Sequence, residues 1–314
     1  MASRPRRPPP AAGVRISWSE VPERVRQEIE RRLGSPVIEA ITQPGGFSPG
    51  LAARLVTSSG RRAFVKGVPP DRNLDTPDIH RQEAAVVSRL PAGLPVPRLL
   101  WWFDEDWVVL AFEDVDGRHP REPWDPGELR AVLAAIDHLT EALTPAPIQV
   151  HPAGDLFGGW RGWRSLAEAA PAGLDPWALR NLDRLVKLEA AAPAAVSGDT
   201  LLHCDIRADN VLLAGDSVYI VDWPWASLGG AWVEALCFAP SVEMQGGPPA
   251  PDVFAGSAAT AGADPDAVAA GLAALTGMFV HRGGLPAPPG LPTLRPFQVA
   301  QGEVALRWLR RYLR

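Results

Sequence analysis

Apolar residues follow a helical period and then a strand period over the first third of the chain. From residue 19 to residue 34 they recur every four positions, at Val21, Val25, Ile29 and Leu33, which predicts an amphipathic helix. Three short runs of alternating apolar and polar residues follow, with glycine-containing loops between them. These runs, VIEAITQ, LAARLVT and RAFVKGV, predict a meander of three strands.

The next apolar segments add a helix and two strands. Helical spacing returns in residues 80–90, at Ala84, Val87 and Leu90. The runs RLLWWFD and WVVLAFE then predict two further strands. The pattern therefore predicts a small lobe built on a five-stranded sheet that carries one helix.

The second part of the chain is patterned for helices. Three segments open with Asp-Pro, at Asp125, Asp175 and Asp264, and each continues with helical periodicity. Aspartate caps a helix and proline is favoured in its first turn, so these pairs mark helix starts. The last periodic segment is FQVAQGEVALRWLRRYL, and one hairpin is predicted around residues 201–222.

These patterns predict an α+β fold with two lobes. The small antiparallel sheet lobe occupies residues 14–114, and the larger, mainly helical lobe occupies residues 115–314. Residues 1–13 show no apolar periodicity, and we expect them to form a disordered tail. A chain of 314 residues is long enough for two units of this kind.

Composition is typical of a folded protein in a reducing compartment. The chain is 46% hydrophobic and 21% charged, close to globular averages. Its two cysteines, Cys204 and Cys237, are too few for a disulfide framework. The basic N-terminal stretch lacks the apolar core of a secretory signal, and the most apolar segment, residues 267–280, is shorter than the roughly 20 residues that span a bilayer. We therefore expect a buried helix there, a cytoplasmic location and no membrane contact.

Charge is distributed unevenly along the chain. Residues 1–114 carry 16 Lys and Arg against 14 Asp and Glu, whereas residues 115–314 carry 15 against 22. An acidic second part suits a cationic or neutral partner better than nucleic acid. A solvated acidic surface explains the same count, so both interpretations stay open.

A polar cluster between apolar pairs is the main candidate for chemistry. The stretch LLHCDIRADNVLL covers residues 201–213, and its flanking apolar residues predict strand ends that hold a loop rigidly. Asp222 follows another apolar run, VYIVDW. Hairpin pairing would bring Asp205, Asn210 and Asp222 together. Two carboxylates and an amide oxygen suit magnesium, with phosphate groups completing its coordination.

The same residues carry a resemblance to a known family. The octapeptide HCDIRADN, residues 203–210, is similar to the His-x-Asp-x-x-x-x-Asn loop of the aminoglycoside phosphotransferase and choline kinase family, and Asp222 stands where that family has its second metal-binding Asp. The resemblance extends over about residues 35–314. It implies a two-lobed protein-kinase-like fold and transfer of the γ-phosphate of ATP or GTP to a hydroxyl of a small molecule.

The resemblance also implies roles for individual residues. Asp205 would accept the proton of the acceptor hydroxyl, and Asn210 and Asp222 would hold Mg²⁺. Lys66, in the third predicted strand, would contact the α- and β-phosphates, and Glu83 would orient it through an ion pair. Lys66 is one of only two lysines in a chain that otherwise uses arginine, which favours a specific requirement for lysine at this position.

Further residues are assigned to the nucleotide. The glycine-rich loop GGFSPG would fold over the phosphates, and within it we assign Gly46 and Ser48 to nucleotide binding. Phe112 and Val115, at the end of the last predicted strand of the small lobe, are assigned to the same site. Two alternatives are open for Arg207: it neutralises the transferring phosphate as a catalytic residue, or it forms a surface salt bridge with Asp209 or another carboxylate.

Some features depart from the family pattern. Asp222 is followed by Trp-Pro-Trp, and no long activation segment follows it, which argues against a protein kinase. Glu234 stands where relatives commonly carry an aspartate, so its role stays open. His203 is given an architectural role and no chemistry.

The acceptor is the least determined part of the prediction. An aminoglycoside-like amino sugar is the favoured substrate class, while choline-like, homoserine-like, sugar and macrolide acceptors stay open. The alternative from another class is a non-catalytic nucleotide-binding scaffold with this fold. Oligomeric state is not predicted.

Overall fold

A computed structural model of the chain describes residues 9–69, 71 and 74–314, so residues 1–8 of the predicted tail lie outside the described residues. The fold is α+β with two lobes, as predicted. The small lobe contains one mixed sheet and two helices. Its elements are β1 (Arg15–Ile16), α1 (Glu23–Leu33), β2 (Val37–Thr42), β3 (Gly50–Thr57), β4 (Arg62–Val68), α2 (Thr76–Val87), β5 (Leu99–Asp104) and β6 (Val108–Phe112).

The sheet has six strands where five were predicted. Its order is β1-β3-β4-β6-β5. The sixth strand, β2, also pairs with β3, along a different part of that strand from β1. The predicted meander is confirmed, because β2, β3 and β4 pair antiparallel in sequence order. The additional strand β1 pairs parallel with β3, with Arg15 opposite Gly50. Two residues are too short to show a strand period, which is why the pattern did not reveal it.

The two faces of the sheet have different neighbours. Val109 and Ala111 of β6 share a core with the buried side of α1, which includes Ile29. Leu110 and Phe112 alternate to the other face, where they join α2 in the main core of the molecule. Lys66 of β4 lies opposite Leu110, so its side chain belongs to the face that α2 covers.

The large lobe is mainly helical, as predicted. Its helices are α3 (Pro126–Ala142), α4 (Ala153–Trp160), α5 (Gly162–Glu168), α6 (Pro176–Arg180), α7 (Leu182–Ala195), α8 (Trp232–Met244), α9 (Ala250–Ala255), α10 (Pro265–Gly283) and α11 (Leu294–Tyr312). The three Asp-Pro starts are confirmed, because Asp125, Asp175 and Asp264 each accept backbone N–H groups of the helix they precede. The apolar segment at 267–280 lies within α10, which packs against α5, α7 and α11.

In the part of the chain that the structure describes, no helix combines the length and apolarity needed to cross a bilayer.

The hairpin predicted around residues 201–222 is present, but it is shorter than that range, because residues 200–202 pair elsewhere. The strand β7 (Thr200–Leu202) pairs with β10 (Ser227–Gly229), whereas β8 (Val211–Ala214) pairs with β9 (Ser217–Ile220). The polar loop therefore joins two separate two-stranded sheets. The apolar pair Leu201-Leu202 predicts a strand end but carries no information about the partner strand, where Ser227 lies opposite Leu202.

Part of the predicted N-terminal tail is described and is bonded to both lobes. The carbonyl of Ala11 accepts a hydrogen bond from Gly46 N at 3.1 Å. Thr293 Oγ1, just before α11, donates to the carbonyl of Ala12 at 2.9 Å. These residues lie between the glycine-rich loop and the start of α11.

Candidate active site

A glutamate of helix α8 holds the loop between β7 and β8 by accepting its backbone N–H groups. The Glu234 carboxylate of α8 accepts the backbone N–H of His203 at 2.5 Å and that of Cys204 at 3.1 Å. Cys204 has φ +63°, a left-handed conformation that side chains disfavour, so these bonds stabilise a strained turn. Burial raises the pKa of Glu234 to about 7. The residue whose role the sequence left open thus shapes the loop.

His203 connects the loop to the strand that leads to Asp222. Its Nε2 donates to the carbonyl of Val221 at 2.9 Å, and its Nδ1 accepts the backbone N–H of Asp205 at 3.1 Å. Burial lowers the pKa of His203 to about 4, so the ring is neutral and can make both bonds. The contacts agree with the architectural role expected for this histidine.

Arg207 is buried and lies between two carboxylates. Its Nη1 donates to Asp205, and its Nε and Nη2 donate to Asp209 at 3.0 and 2.9 Å. Burial raises the pKa of Asp205 to about 6, with Arg207 opposing and Asp209 reinforcing the shift. Both alternatives for Arg207 therefore have a geometric basis, since it contacts Asp209 and the candidate base Asp205 together.

The hairpin of β8 and β9 brings Asn210 and Asp222 to the same end. Val211 pairs with Ile220, and the backbone N–H of Val221 donates to the carbonyl of Asn210 at 2.9 Å. Asn210 Nδ2 donates to the backbone carbonyl of Asp205 at 2.8 Å, which leaves its Oδ1 as the atom that can accept or ligate. The two predicted metal-binding residues therefore flank one hairpin end.

Lys66 joins the two lobes. Its Nζ donates to Asp222 Oδ1 at 2.7 Å and pairs with Glu83 of α2. Burial opposes ionisation of Asp222, but the lysine ammonium outweighs it and lowers the pKa of Asp222 to about 2. Burial raises the pKa of Glu83 to about 7, with the charge of Lys66 opposing the shift and the negative charge of Asp222 reinforcing it. The predicted pair of Lys66 and Glu83 is present.

A cavity of about 360 Å³ lies between the lobes beneath the glycine-rich loop. Its walls include all the residues predicted for the nucleotide and the metal: Gly46, Ser48, Lys66, Glu83, Phe112, Val115, Asn210 and Asp222. Asp205 and Arg207 are not in its walls, but they contact Asn210 and Asp209, which are. The volume is that of a small-molecule site.

The chemistry of the donors fits magnesium. One carboxylate, Asp222, and one amide oxygen, Asn210, are hard ligands at a single hairpin end. Among the described residues no group of three or more His, Cys, Asp or Glu could hold a metal ion alone. Magnesium is commonly held by one or two carboxylates together with substrate phosphates. A site with one carboxylate and one amide oxygen, which phosphate oxygens would complete, therefore matches that ion.

Two residues near the site carried no sequence signal. The Arg207 guanidinium lies 5.4 Å from the ring of Phe47, in the glycine-rich loop, and 5.8 Å from that of Phe297, in α11. The two rings meet edge to face at 5.2 Å. Arg15 also lines the cavity. Phe297 sits in a long periodic helix and Arg15 in a two-residue strand, so neither spacing nor motif marks them.

Comparisons with known proteins agree with this geometry. A family model described as the phosphotransferase enzyme family matches residues 44–270, which is more than two thirds of the chain. The chain has no match among curated protein sequences.

Similar solved structures cover nearly the whole fold. Choline kinase LicA from Streptococcus pneumoniae has a TM-score of 0.61 at 12% identity, covering 92% of this chain and 98% of that one. A thermostable mutant of aminoglycoside phosphotransferase APH(4)-Ia has a TM-score of 0.59 at 14% identity, covering 91% and 98%. A choline/ethanolamine kinase family protein from Mesorhizobium loti has a TM-score of 0.55 at 14% identity, covering 91% and 94%. At these identities the likeness is one of fold.

Proposed function

The chain belongs to the phosphotransferase enzyme family, and from this premise we propose that it transfers the γ-phosphate of ATP or GTP to a hydroxyl of a small molecule. Membership confirms the resemblance found in the sequence and the prediction of a phosphotransferase. The nucleotide, the acceptor and the residue roles below are proposals. We also propose residue 114 as the division between the lobes, since β6 ends at Phe112 and α3 begins at Pro126.

One arrangement carries the proposal. Lys66 of the small lobe is bonded to Asp222 of the large lobe at the wall of the cavity. Asn210, at the same hairpin end as Asp222, is bonded to Asp205. A candidate phosphate-binding cation, two oxygen ligands for a metal and a candidate base therefore lie around one end of the hairpin, and phosphoryl transfer depends on positioning such groups together.

The small lobe would bind the nucleotide. Lys66 would contact the α- and β-phosphates, with Glu83 fixing its position from α2. Gly46 has φ +85°, a conformation suited to glycine, and with Ser48 it lies in the loop over the cavity. Phe112 and Val115 line the cavity beside the strand that carries Lys66, where a base would pack.

Asn210 and Asp222 would hold Mg²⁺. When bound there, the ion supplies positive charge to the β- and γ-phosphate oxygens. The protein's part is to present Oδ1 of Asn210 and the carboxylate of Asp222 from a fixed hairpin end, with Lys66 keeping the carboxylate ionised.

Asp205 would accept the proton of the acceptor hydroxyl. A pKa of about 6 leaves it ionised at neutral pH and close enough to neutrality to be an effective base. Arg207, which contacts Asp205 and carries a full positive charge, would neutralise the transferring phosphate beside it.

An amino sugar of the aminoglycoside type is the favoured acceptor. Residues 115–314 carry an excess of seven acidic over basic side chains, which suits a cation. Two of the similar structures are of enzymes named for amine-bearing acceptors, an aminoglycoside and choline, and a ternary complex of the former contains ADP and hygromycin B. Choline-like, homoserine-like, sugar and macrolide acceptors are the alternatives.

A non-catalytic nucleotide-binding scaffold is the second candidate. It needs a nucleotide cavity but no proton acceptor, and the cavity walls do not include Asp205. Against it stands the number of backbone bonds that Glu234 and His203 commit to positioning Asp205.

A phosphotransfer screen tests the proposal. The protein is incubated with Mg²⁺ and γ-labelled ATP or GTP over amino sugars, amino alcohols, homoserine, simple sugars and macrolides, with Asp205→Asn as the inactive control. We expect labelled product from an amine-bearing alcohol with the natural chain only. Nucleotide binding without transfer to any acceptor would favour the scaffold, and failure to bind either nucleotide would contradict both candidates.

A further inference from the structure

The N-terminal segment enters the space between the lobes. The backbone N–H of Val14 donates to the carbonyl of Gly290 at 2.8 Å, and that of Gly50 donates to the carbonyl of Val14 at 3.2 Å. Together with the bonds of Ala11 and Ala12 described above, these contacts attach residues 11–16 to the glycine-rich loop on one side and to the approach to α11 on the other. The family match begins at residue 44, so this segment lies before it.

Arg15 extends from this segment into the nucleotide cavity. Its Nη1 donates to the carbonyl of Ser48 and its Nη2 to the carbonyl of Gly45, so the guanidinium spans the base of the glycine-rich loop. A Cβ placed on Gly46 would lie 3.1 Å from Nη2, which is tighter than most real contacts, so glycine at this position gives the guanidinium room. The side chain lines the cavity that holds Lys66 and Asp222.

The hydrogen-bonding capacity of Arg15 is only partly used. A guanidinium has five N–H donors, and two of them serve the loop carbonyls. The Nε donor is buried and has no partner among the described residues. A buried donor without a partner costs free energy, so a ligand that accepts from it would bind favourably here.

The other two long cationic side chains of the cavity wall, Lys66 and Arg54, have ion-pair partners, whereas Arg15 does not among the described residues. Lys66 pairs with Glu83 and Asp222, and Arg54 pairs with Asp114 at 2.6 Å. Arg15 forms no ion pair within the residues that the structure describes. Burial lowers its pKa, and the charge of Asp222 opposes that effect. At the wall of the cavity the arginine therefore carries a positive charge for which the described residues supply no ion-pair partner.

We propose that Arg15 is a phosphate-binding residue of the nucleotide site, acting as the unpaired cation that the triphosphate neutralises. The proposal rests on the proposed function, since it needs a nucleoside triphosphate in the cavity. A guanidinium presents its donors in a planar fork that matches phosphate oxygens, and it stays charged at all physiological pH values.

Binding measurements on Arg15 variants test the proposal. Isothermal titration in the presence of Mg²⁺ gives the Kd of the natural chain for ATP and for GTP, and the tighter nucleotide is compared with its parent nucleoside. We expect Arg15→Gln to weaken triphosphate binding by at least about tenfold and nucleoside binding by less than about twofold, since a charge contact acts only on the phosphates. Arg24→Gln, which removes an exposed arginine of the same lobe, is the matched control.

The outcomes separate a charge contact from a role in loop shape. Equal losses for triphosphate and nucleoside, or no loss at all, overturn the proposal. Arg15→Lys keeps the charge and should bind triphosphate more tightly than Arg15→Gln, so equal affinities of these two variants also overturn it. If Arg15→Gln does not fold in a thermal unfolding assay, the triphosphate loss of Arg15→Lys must exceed its nucleoside loss. A natural chain that binds neither nucleotide removes the proposed function itself.

Discussion

The two parts of the candidate site, the proposed nucleotide side around Lys66 and the proposed catalytic loop at residues 203–210, are built in opposite ways. On the nucleotide side, Lys66 and Glu83 come from different elements, a strand and a helix, and charge holds them together. In the catalytic loop, Asp205 and Asn210 come from one segment of eight residues, and backbone hydrogen bonds to Glu234 and His203 fix its shape. The first assembly joins separate elements through charge, whereas the second is one contiguous segment whose turn is completed by Glu234 of α8.

This difference predicts a division of labour. A charge network around a cavity binds a polyanion, so changes there should act first on nucleotide affinity. A rigid loop that presents a single base should act on the chemical step and leave affinity nearly unchanged. Variants in the two regions should therefore separate by the step they affect.

Replacing the candidate base should have the largest effect. We expect Asp205→Asn to lower kcat by about 10²–10⁴-fold, because the amide has the same shape but cannot accept the acceptor proton. Steady-state kinetics with the acceptor identified in the screen measure this effect. Asp199→Asn, an exposed position just before β7, is the control and should keep natural activity. Turnover of Asp205→Asn within a few-fold of the natural chain would remove Asp205 from the chemistry.

The metal ligand comes next. Asp222→Ala should lower affinity for ATP in the presence of Mg²⁺ by about 100-fold, because the variant lacks the carboxylate that would hold Mg²⁺ against the phosphates. The change also removes the ion pair that positions Lys66. Titration calorimetry with and without Mg²⁺ measures the loss. Asp216→Ala changes an exposed aspartate in the turn of the same hairpin and should bind normally. Unchanged Mg²⁺ dependence in Asp222→Ala would mean that the ion is held elsewhere.

Lys66 tests the nucleotide side with charge preserved. Lys66→Arg should lower kcat/KM by at least about tenfold, because a planar guanidinium cannot replace a compact ammonium between Glu83 and Asp222. Lys187→Arg, at the other lysine of the chain, is exposed and should be neutral. A fully active Lys66→Arg would weaken the nucleotide assignment. Lys66→Ala is a less specific change, since it also leaves the buried carboxylate of Glu83 and the partly exposed one of Asp222 without their cation and should lower the free energy of unfolding.

The pH profile gives the smallest effect. Asp205 must be ionised to accept a proton, and its pKa is raised to about 6, so activity should increase as pH rises through that value. We expect kcat/KM to be about half its plateau at pH 6 and about tenfold lower at pH 5. The residual activity of Asp205→Asn should not show this increase of kcat/KM between pH 5 and pH 7. An increase that persists in the variant would assign the titration to another group.

The same contrast explains what the sequence could predict. The catalytic loop is a contiguous string, so its spacing identified Asp205, Asn210 and, twelve positions later, Asp222. Lys66 and Glu83 were assigned from the family resemblance, and the strand and helix periods placed them on elements of the expected type. Local pattern also gave the helix starts, since an Asp-Pro cap is a property of neighbouring residues.

Features that depend on distant partners could not be predicted. The strand β7 pairs with β10 and not with β9, and nothing within either strand specifies that choice. Residues 9–13 resemble a tail in composition, yet Ala12 is fixed by Thr293, 281 positions away. The helix α8 was not predicted, because it is buried on nearly all sides and its sequence shows no polar face. The helices α4, α5 and α9 were not predicted either, because with eight, seven and six residues they are too short to show a repeated period.

The most direct test of the central claim compares one variant from each region in two assays. Affinity for Mg²⁺ and ATP is measured by calorimetry, and the rate of phosphate transfer is measured by single-turnover quench at saturating nucleotide. The account predicts that Asp205→Asn binds nucleotide within about threefold of the natural chain while transferring phosphate at least about 100-fold more slowly. It predicts that Lys66→Ala binds at least about tenfold more weakly. Weak nucleotide binding by Asp205→Asn, or natural nucleotide affinity in Lys66→Ala, would contradict the division between a nucleotide-binding lobe and a catalytic loop.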